Sequence, residues 1–428
     1  MIPIYHWPSA EAKNYLKKVS LRGSQEDTVL ESRVATILNS VKKMGDPAVR
    51  KWIRQFEGYD PKELKIDPME IKDLASQADP ELLKIIKQAK KNIWDFHQRQ
   101  RENSWELEAK DGVKLGQRIT PLQTVGLYVP GGTAAYPSTV LMNAIPAQIA
   151  GVPRIVVSTP YRNFQKNPLI AAVLKELRLE EVYGVGGAQA IAALAYGTAT
   201  IPKVNKIVGP GNAFVAEAKK QVFGSVDIDV IAGPSEVVIV SDEFANPVFV
   251  AADLMAQAEH DESALAIAIT FSVTQAEAIK KSLLDQVKNL SRKITIHKSL
   301  NEFGVILVVK QIKEAVEIVN NIAPEHLELL MEGAESFAEK IDASGAIFFG
   351  ETSCETVGDY FAGPNHVLPT GGTSQFASPL GVYDFIKRTN LIKYSRQAIT
   401  KNYRAIEKFA LAEKLDAHAH SVRIRVDS

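Results

Sequence analysis

The sequence has little cysteine, no excess of charge and no long apolar run. Its 428 residues include one cysteine, Cys354, which excludes an intrachain disulfide and Cys₄ or Cys₂His₂ metal sites. Basic and acidic residues both number 50, so no overall charge favours nucleic acid or an anionic membrane. No uncharged apolar stretch approaches the roughly 18 residues that span a bilayer, and no secretion signal is recognisable. We therefore expect a cytoplasmic protein that binds neither nucleic acid nor membrane.

What is present is typical of a globular protein, with 46% hydrophobic and 23% charged residues. The length suggests two or three domains. Residues 10–103 have mainly helical patterns, whereas short β-branched runs alternate with helical patterns after residue 120. This alternation predicts parallel sheets covered by helices, in two α/β units at about 122–232 and 236–350.

The C-terminal part of the sequence, from about residue 376, has a different pattern. A helix is predicted near Ile406–Leu415. Val422, Ile424 and Val426 then alternate with arginines, which predicts a short strand. We expect this part to be a docking arm.

Glycine-rich turns follow three predicted strands, in Tyr128-Val-Pro-Gly-Gly, Gly184–Gln189 and Gly209–Asn212. Such turns can present backbone N–H groups to phosphates at a helix N-terminus. The pattern G-x-G-x-x-G is not met, because Gln189 and Phe214 occupy its last position. The pattern leaves open whether these glycines bind a nucleotide or only form tight turns.

Two helical or loop segments place imidazoles near possible partners. Gln257 and His260 lie three residues apart on a predicted helix, so they face the same side and could share a metal ion. Alternatively, His260 only caps the helix. Glu325 and His326 join a carboxylate to an imidazole suited to proton transfer. The alternative is an exposed pair at a helix start after Pro324, and we expect the two adjacent side chains to diverge.

Polar residues near the end of the chain provide further candidates. Asp359 and His366 follow the predicted strand Gly345–Phe349, and ligands favour the carboxyl ends of parallel strands. Glu413, Asp416, His418 and His420 lie close to the C-terminus, where periodicity cannot choose between the two histidines.

From about residue 30 to 426, the sequence resembles the histidinol dehydrogenase family. The segments that carry this resemblance are Gly126-Leu-Tyr-Val-Pro-Gly-Gly, Gly186-Gly-Ala-Gln-Ala-Ile-Ala-Ala-Leu-Ala, Gly209-Pro-Gly-Asn, Ala232-Gly-Pro-Ser-Glu, Ala256-Gln-Ala-Glu-His-Asp, Ala323-Pro-Glu-His-Leu-Glu, Gly358-Asp-Tyr, Asn365-His-Val-Leu-Pro-Thr and Leu415-Asp-Ala-His. Their number and order, rather than any single one, make the resemblance specific. Cys354 departs from the family pattern, since we expect proline there in many relatives.

The resemblance implies a fold of two incomplete Rossmann-like parallel-sheet domains, one inserted in the other, with a helical N-terminal region and a C-terminal arm. The implied divisions are an N-terminal arm at 1–25, a first α/β domain at 26–125 and 236–375, an inserted NAD-binding domain at 126–235, and a C-terminal arm at 376–428. It also implies a homodimer in which the C-terminal arm reaches into the partner's site.

The resemblance further implies the four-electron oxidation of L-histidinol to L-histidine through L-histidinaldehyde, the last step of histidine biosynthesis, with two NAD⁺ and one zinc per site. Glu325 and His326 match the family's acid/base pair, and Tyr128, Gln189 and Asn212 match its NAD contacts. Residues that match zinc ligands are Gln257, His260, Asp359 and His418. Residues that match substrate contacts are Ser235, Gln257, His260, His326, Asp359, His366, Glu413 and His418.

Two other classes of protein remain as alternatives. A zinc hydrolase would use the same cluster with Glu325 as base, and it would need no dinucleotide. A metabolite-binding protein of this fold would bind ligand without producing NADH. NAD binding and NADH production distinguish these alternatives from a dehydrogenase.

Overall fold

The computed structural model describes residues 2–20, 22, 27–131, 136–231 and 233–427. Gly132 and Ala232, which belong to two of the segments quoted above, lie outside the described residues. None of the described helices is both long and apolar enough to cross a lipid bilayer.

Helices and strands are numbered here in chain order over these described residues. The helices α1 to α18 are Ala10–Ser20, Thr28–Met44, Asp46–Glu57, Pro68–Ala75, Pro80–His97, Pro137–Ala150, Tyr161–Phe164, Pro168–Glu176, Gly187–Tyr196, Ala213–Val222, Pro247–Ala258, Val273–Gln286, Lys293–Glu302, Ile312–Ile322, Ala334–Ala338, Glu355–Val357, Arg396–Ala412 and Asp416–Asp427. The strands β1 to β14 are Ile4–His6, Trp105–Glu108, Lys114–Pro121, Thr124–Tyr128, Arg154–Ser158, Val182–Tyr183, Lys206–Val208, Asp227–Ile228, Glu236–Ser241, Leu265–Thr270, Val305–Val308, His326–Leu330, Ala346–Phe349 and Ile386–Lys393.

Two wholly parallel sheets form the centre of the fold. One has five strands in the order β6-β5-β4-β7-β8. The other has six strands in the order β1-β11-β10-β9-β12-β13. If β1 is left out and the five remaining strands of each sheet are numbered along the chain, both sheets have the spatial order 3-2-1-4-5. This is the strand order of a doubly wound Rossmann-like half. The prediction of two incomplete Rossmann-like α/β units is confirmed.

The central strands are buried along their whole length because helices cover both faces of the sheets. β9 and β10 read Glu-Val-Val-Ile-Val-Ser and Leu-Ala-Ile-Ala-Ile-Thr, and every residue in them is buried. Continuous β-branched and small apolar runs are typical of strands covered on both sides. Val237 and Ile239 face one apolar cluster, whereas Val238 and Val240 face another.

The N-terminal helices cover the five-stranded sheet. Side chains of α2 and α3, such as Ile37 and Trp52, pack with α9 and α10 on one face. Side chains of α4, α5, α6 and α8 pack on the other face. We expected residues 26–125 to belong to the same domain as the 236–375 segment. In the structure, α2 to α5 pack against the five-stranded sheet of the 126–235 segment. Residues expected to form an N-terminal arm instead supply β1, an edge strand of the six-stranded sheet.

Aspartate-proline pairs set the starts of two of these N-terminal helices. The Asp67 and Asp79 side chains accept the N–H groups of Met69 and Glu81, each at 2.8 Å. The proline that follows each aspartate occupies the first helical position, where no N–H is needed.

The antiparallel part of the fold leads into the C-terminal segment. β14, β3 and β2 form a three-stranded antiparallel sheet that the sequence patterns did not predict. α17 and α18 then pack against each other as a helical hairpin. The predicted strand at Val422–Val426 is wrong, because these residues lie in α18, where Ala419 and Val422 are buried at helical spacing.

Candidate active site

The predicted acid/base pair lies at the amino-terminal edge of the six-stranded sheet. His326 is the first residue of β12, and it pairs in register with Val237 of β9 and Ala346 of β13. Both Glu325 and His326 are buried. The alternative of an exposed pair at a helix start is therefore wrong. The expectation that the site uses the carboxyl ends of strands is also wrong for this sheet.

His326 is held in one tautomer by a backbone contact. Its Nδ1–H donates to the Glu236 carbonyl at 3.1 Å, which leaves the lone pair on Nε2. Nε2 is buried and has no hydrogen-bond partner among the described residues. Burial, followed by the nearby imidazoles of His260 and His366, lowers the pKa of His326 to about 3. The ring is therefore neutral at pH 7 and has a free acceptor atom.

Glu325 is held by the same backbone unit. Its Oε2 accepts the Glu236 N–H at 2.9 Å, and the same oxygen lies 3.8 Å from Nδ1 of His326. The side chains were expected to diverge, but the shared Glu236 backbone brings them together. Burial raises the pKa of Glu325 well above its usual value, and the carboxylates of Glu236 and Asp359 raise it further. A carboxyl with a raised pKa is a stronger base once ionised.

Three side chains next to this pair could hold a metal ion. Ligand atoms of His260, Glu355 and Asp359 all lie within 4.8 Å of one another. Oε1 of Glu355 is 3.9 Å from Nε2 of His260 and also 3.9 Å from Nδ1 of His326. The cluster therefore adjoins the acid/base pair. Two of the predicted zinc ligands, His260 and Asp359, meet here.

Gln257, another predicted ligand, is buried one turn before His260. The His260 N–H donates to the Gln257 carbonyl at 3.2 Å, and α11 packs against α16, the short helix that begins at Glu355. Both polar atoms of the Gln257 amide are buried without a partner among the described residues. Burying an amide without hydrogen-bond partners costs free energy. The unpaired Gln257 oxygen is therefore suited to coordinate a metal ion that binds to the folded protein.

His366 and Ser235 lie at the same site. His366 is partly buried, with 13% of its side chain exposed, and donates Nδ1–H to the Asp359 carbonyl at 2.9 Å. Burial lowers the pKa of His366 to about 4, so its Nε2 is an acceptor at neutral pH. Ser235 directly precedes β9 and therefore lies at the same amino edge as His326.

Carboxyl groups are concentrated behind this site. Burial raises the pKa of Glu236 to about 7 and also raises the pKa of Asp359. Glu328 on β12 accepts the Glu355 N–H at 2.6 Å, and burial and the neighbouring Asp253 raise the pKa of Glu328. Buried carboxylates need a compensating positive charge. The donor set and its charge thus fit a divalent cation such as zinc, which binds N and O ligands.

Glu413 and His418 lie apart from this cluster. Both are exposed and belong to the C-terminal hairpin, Glu413 at the end of α17 and His418 in α18. Among the described residues, the metal-ligand group contains neither of them. Within a single chain, the predicted ligand His418 is therefore not brought to Gln257, His260 and Asp359.

A second site lies at the carboxyl-terminal edge of the five-stranded sheet. Tyr128, Gln189 and Asn212, the predicted NAD contacts, all line one cavity of about 630 Å³. The Tyr128 hydroxyl accepts the Gly187 N–H at 3.0 Å. Oε1 of Gln189 is buried without a partner among the described residues. Asn212 directly precedes α10 and caps it, since its side chain accepts the Val215 N–H at 3.2 Å.

The turns around this cavity require glycine. A Cβ on Gly209, whose φ is +114°, would lie 2.1 Å from the Tyr128 carbonyl oxygen. A Cβ on Gly186 would lie 2.5 Å from Cγ of Pro160. The backbone at both turns is therefore close-packed and leaves the cavity open, which fits a dinucleotide cradle.

A buried ion pair supports one of these turns. Lys219 and Asp229 form a salt bridge, with each side chain about 2% exposed. Lys219 Nζ also donates to the Gly209 carbonyl at 3.1 Å, while Oδ2 of Asp229 accepts the Gly209 N–H at 2.7 Å. Both polar groups of Gly209 are thus fixed by the pair.

Sequence reasoning missed Glu355 and this ion pair. Glu355 lies in the polar segment that was singled out, four residues before Asp359, but nothing in that pattern separates a buried carboxylate from an exposed one. Lys219 has the appearance of an ordinary exposed helix residue next to Lys220. Only the three-dimensional contacts assign either residue to a site.

Comparisons with known proteins cover nearly the whole chain. A family model described as histidinol dehydrogenase matches residues 20–426. A histidinol dehydrogenase of Listeria monocytogenes serovar 1/2a is 50% identical over 398 residues, which are 93% of this chain and 93% of the relative. One of Bacillus subtilis strain 168 is 46% identical over 412 residues, covering 96% of each chain. A crystal structure of histidinol dehydrogenase from Elizabethkingia anophelis has a TM-score of 0.93 at 35% identity and covers 100% of this chain and 98% of that chain.

Proposed function

This chain belongs to the histidinol dehydrogenase family of oxidoreductases, which catalyse the last step of histidine biosynthesis, and we propose that it converts L-histidinol to L-histidine through L-histidinaldehyde with zinc and NAD⁺. One observation carries this proposal. The buried acid/base pair Glu325–His326 directly adjoins the cluster of His260, Glu355 and Asp359. An alcohol held at the cluster would have a base within reach.

In the first oxidation, His326 removes the proton. Its Nε2 is the free acceptor atom, because Nδ1–H is bound to the Glu236 carbonyl. The substrate hydroxyl gives its proton to Nε2 as a hydride leaves the adjacent carbon, and the product is the aldehyde. The low pKa of His326 keeps the ring unprotonated before each turnover.

In the second oxidation, Glu325 activates water. Its ionised carboxylate takes one proton from a water molecule, whose oxygen attacks the aldehyde carbon and forms the hydrate. The hydrate, formed as its anion, then loses a hydride and its remaining hydroxyl proton to give the carboxylate. Burial of Glu325 and His326 limits access of bulk water, which helps to retain the reactive aldehyde.

The bound groups complete the chemistry. When bound, zinc would orient the imidazole and amine of the substrate and polarise its oxygen, and NAD⁺ would supply the hydride acceptor for each oxidation. Gln257, His260 and Asp359 would hold zinc, while Ser235 and His366 would contact the substrate. Tyr128, Gln189 and Asn212 would hold NAD⁺ on the five-stranded sheet, which we propose as the NAD-binding unit.

The exposed C-terminal hairpin supports a dimer. Glu413 and His418 are exposed, and the metal-ligand group found among the described residues contains neither of them, so we propose that each arm completes the site of a second copy. His418 would then be the remaining zinc ligand and Glu413 a further substrate contact. Glu413 and His418 both lie in the proposed C-terminal arm, residues 376–428. We also propose that the protein works in the cytoplasm, where its free Cys354 would stay reduced.

The test is the ratio of NADH formed to L-histidinol consumed, with zinc present and histidinol limiting. We expect two NADH per histidinol, because two hydrides leave the same carbon. A ratio of one would mean that the enzyme stops at the aldehyde and that Glu325 does not activate water. No NADH from folded, zinc-loaded protein would contradict the proposed reaction.

A further inference from the structure

Glu57 is the acidic residue in the lining of the cavity on the five-stranded sheet, where the other charged residues among those described are basic. It is the last residue of α3 and lines the same cavity as Tyr128, Gln189 and Asn212. Burial raises the pKa of the Glu57 carboxyl, and the nearby Gly186 N–H opposes this shift. The Oε1 atom is buried and has no hydrogen-bond partner among the described residues. The carboxylate therefore keeps an acceptor atom that no described protein group occupies.

Three basic side chains line the same cavity. Arg33, Arg162 and Lys166 provide positive charge that suits the phosphates of a dinucleotide. The Arg162 guanidinium lies 5.1 Å from the centre of the Tyr59 ring and donates to the Gly58 carbonyl at 3.2 Å. These contacts hold Arg162 next to the turn that follows Glu57. Without Glu57, this wall of the cavity would be purely cationic.

The contacts of the turn at Gly186 and Gly187 show which donors of the cavity remain available to a ligand. The Gly187 N–H donates to the Tyr128 hydroxyl at 3.0 Å, and the Gly186 N–H lies near the Glu57 carboxylate. At least one N–H donor at the start of α9 is thus engaged by protein, and the basic side chains remain for the phosphates. Glu57 offers a negatively charged acceptor, which suits a neutral hydroxyl group and opposes an anion.

Dinucleotides differ at this kind of contact. NAD⁺ has a 2′-hydroxyl on its adenosine ribose, and an acidic side chain can accept its hydrogen bond. NADP⁺ has a phosphate at the same position, which arginines accommodate and a carboxylate repels. The lining of this cavity contains both a carboxylate and arginines, so the charge of Glu57 determines whether a 2′-hydroxyl or a 2′-phosphate is preferred.

We propose that Glu57 selects NAD⁺ over NADP⁺ by accepting the adenosine ribose 2′-hydroxyl and repelling a 2′-phosphate. This inference rests on the proposed function in taking the dinucleotide as the occupant of the cavity. Arg33, Arg162 and Lys166 would hold the phosphates of NAD⁺. In a Glu57→Gln variant, they would be free to attract a 2′-phosphate.

The test compares two ligands that undergo no reaction, ADP-ribose and 2′-phospho-ADP-ribose. Calorimetric titration of the full-length, zinc-loaded protein gives the affinity for each. We expect the wild type to prefer ADP-ribose. Glu57→Gln should lower the ratio of the two affinities at least roughly tenfold, because it removes one negative charge beside the phosphate. Glutamine has nearly the same size and keeps an acceptor oxygen beside the Gly186 N–H, so the turn should keep its shape.

Two further variants separate charge from structure. Glu57→Asp keeps the charge and should keep the preference for ADP-ribose. Glu63→Gln removes a charge from an exposed glutamate outside the cavity lining and should leave the affinity ratio unchanged. A ratio that falls equally in Glu57→Gln and Glu63→Gln would contradict a specific role for Glu57.

The outcomes distinguish this inference from the proposed reaction. Equal affinities in the wild type, or an unchanged ratio in Glu57→Gln, would overturn the role of Glu57 even if histidinol still yields two NADH. A lowered ratio in a protein that produces no NADH from histidinol would support Glu57 and overturn the reaction. If neither ligand binds the wild type, the role of Glu57 is overturned, and the NADH ratio alone decides the reaction.

Discussion

The two parallel sheets share one strand order but place their candidate sites at opposite edges. In the five-stranded sheet, the cavity lies beyond the carboxyl ends of β4 and β7. In the six-stranded sheet, the acid/base pair lies at the amino ends of the corresponding strands, β9 and β12. Strand order therefore predicts between which strands a site forms, since both lie where the order reverses, but not at which edge.

The helix ends explain what each edge can bind. At the carboxyl edge, helices begin, and the starts of α9 and α10 present partial positive charge suited to a dinucleotide. At the amino edge, helices end, and α11 ends two residues before His260. The partial negative charge of helix ends favours cations. The proposed dinucleotide site at one edge and the proposed metal site at the other thus agree with the direction of the same βα units.

The largest effect is expected at the amino edge, from His326→Gln. Without Nε2 as proton acceptor, kcat should fall by roughly 10²–10⁴-fold, as is typical of a lost general base. Steady-state NADH production measures this loss. His297→Gln, at an exposed histidine of α13, should leave kcat unchanged. Near-normal turnover by His326→Gln would remove His326 from the reaction.

At the carboxyl edge, Lys219→Met should have a large effect on stability rather than on chemistry. It leaves Asp229 buried without its partner, so the free energy of unfolding should fall by about 3–5 kcal/mol. Urea unfolding measures this change. Lys220→Met removes a neighbouring lysine that is about half exposed, and it should cost less than about 1 kcal/mol. Equal losses in the two variants would contradict the importance of burial.

Glu325→Gln should separate the two oxidations at the amino edge. Oxidation of supplied histidinaldehyde should slow by about 10²-fold or more, because the amide cannot take a proton from water. The first oxidation of histidinol should slow less, because His326 Nε2 is retained. The two rates are measured separately with each substrate. Equal losses would show that Glu325 acts in both steps or only through the structure.

The smallest effect is expected from replacing two buried amides, those of Gln257 and Gln275. The test is the sign of the change in the free energy of unfolding. With zinc chelated, Gln257→Leu should raise the free energy of unfolding by up to about 1–3 kcal/mol, since it removes a buried amide without partners. Gln275→Leu should lower it by a similar amount, because Gln275 Nε2 donates to the Ala245 carbonyl at 2.7 Å. Zinc content should fall only in Gln257→Leu. Destabilisation of both variants would mean that Gln257 is a structural residue.

Much of the α/β core could be predicted because its strands are local, continuous apolar runs. Strands β5 and β7, Arg154–Ser158 and Lys206–Val208, are short β-branched runs of the kind from which the two α/β units were predicted. β12 was missed, because the buried Glu328 interrupts its apolar pattern and Pro324-Glu-His suggests a helix start. β14, β3 and β2 pair over long sequence separations that no local pattern specifies.

The candidate site was less accessible to pattern reasoning. The residues Gln257, His260, Glu325 and Asp359 could be named as candidates, but their roles came from the family resemblance. The edge of the sheet was predicted wrongly for Asp359, because the sequence does not show that the chain after β13 returns to the amino edge. α18 has alternating valines that resemble a strand, and its helical form depends on packing against α17.

The single thiol of this chain gives a ready position for chemical labelling. Cys354 is partly exposed and directly precedes Glu355, at the start of the short helix beside the proposed metal cluster. A fluorophore alkylated to it would attach once per chain, since the sequence has no other cysteine. Its emission would report loading of the site in real time, while every proposed ligand stays unmodified.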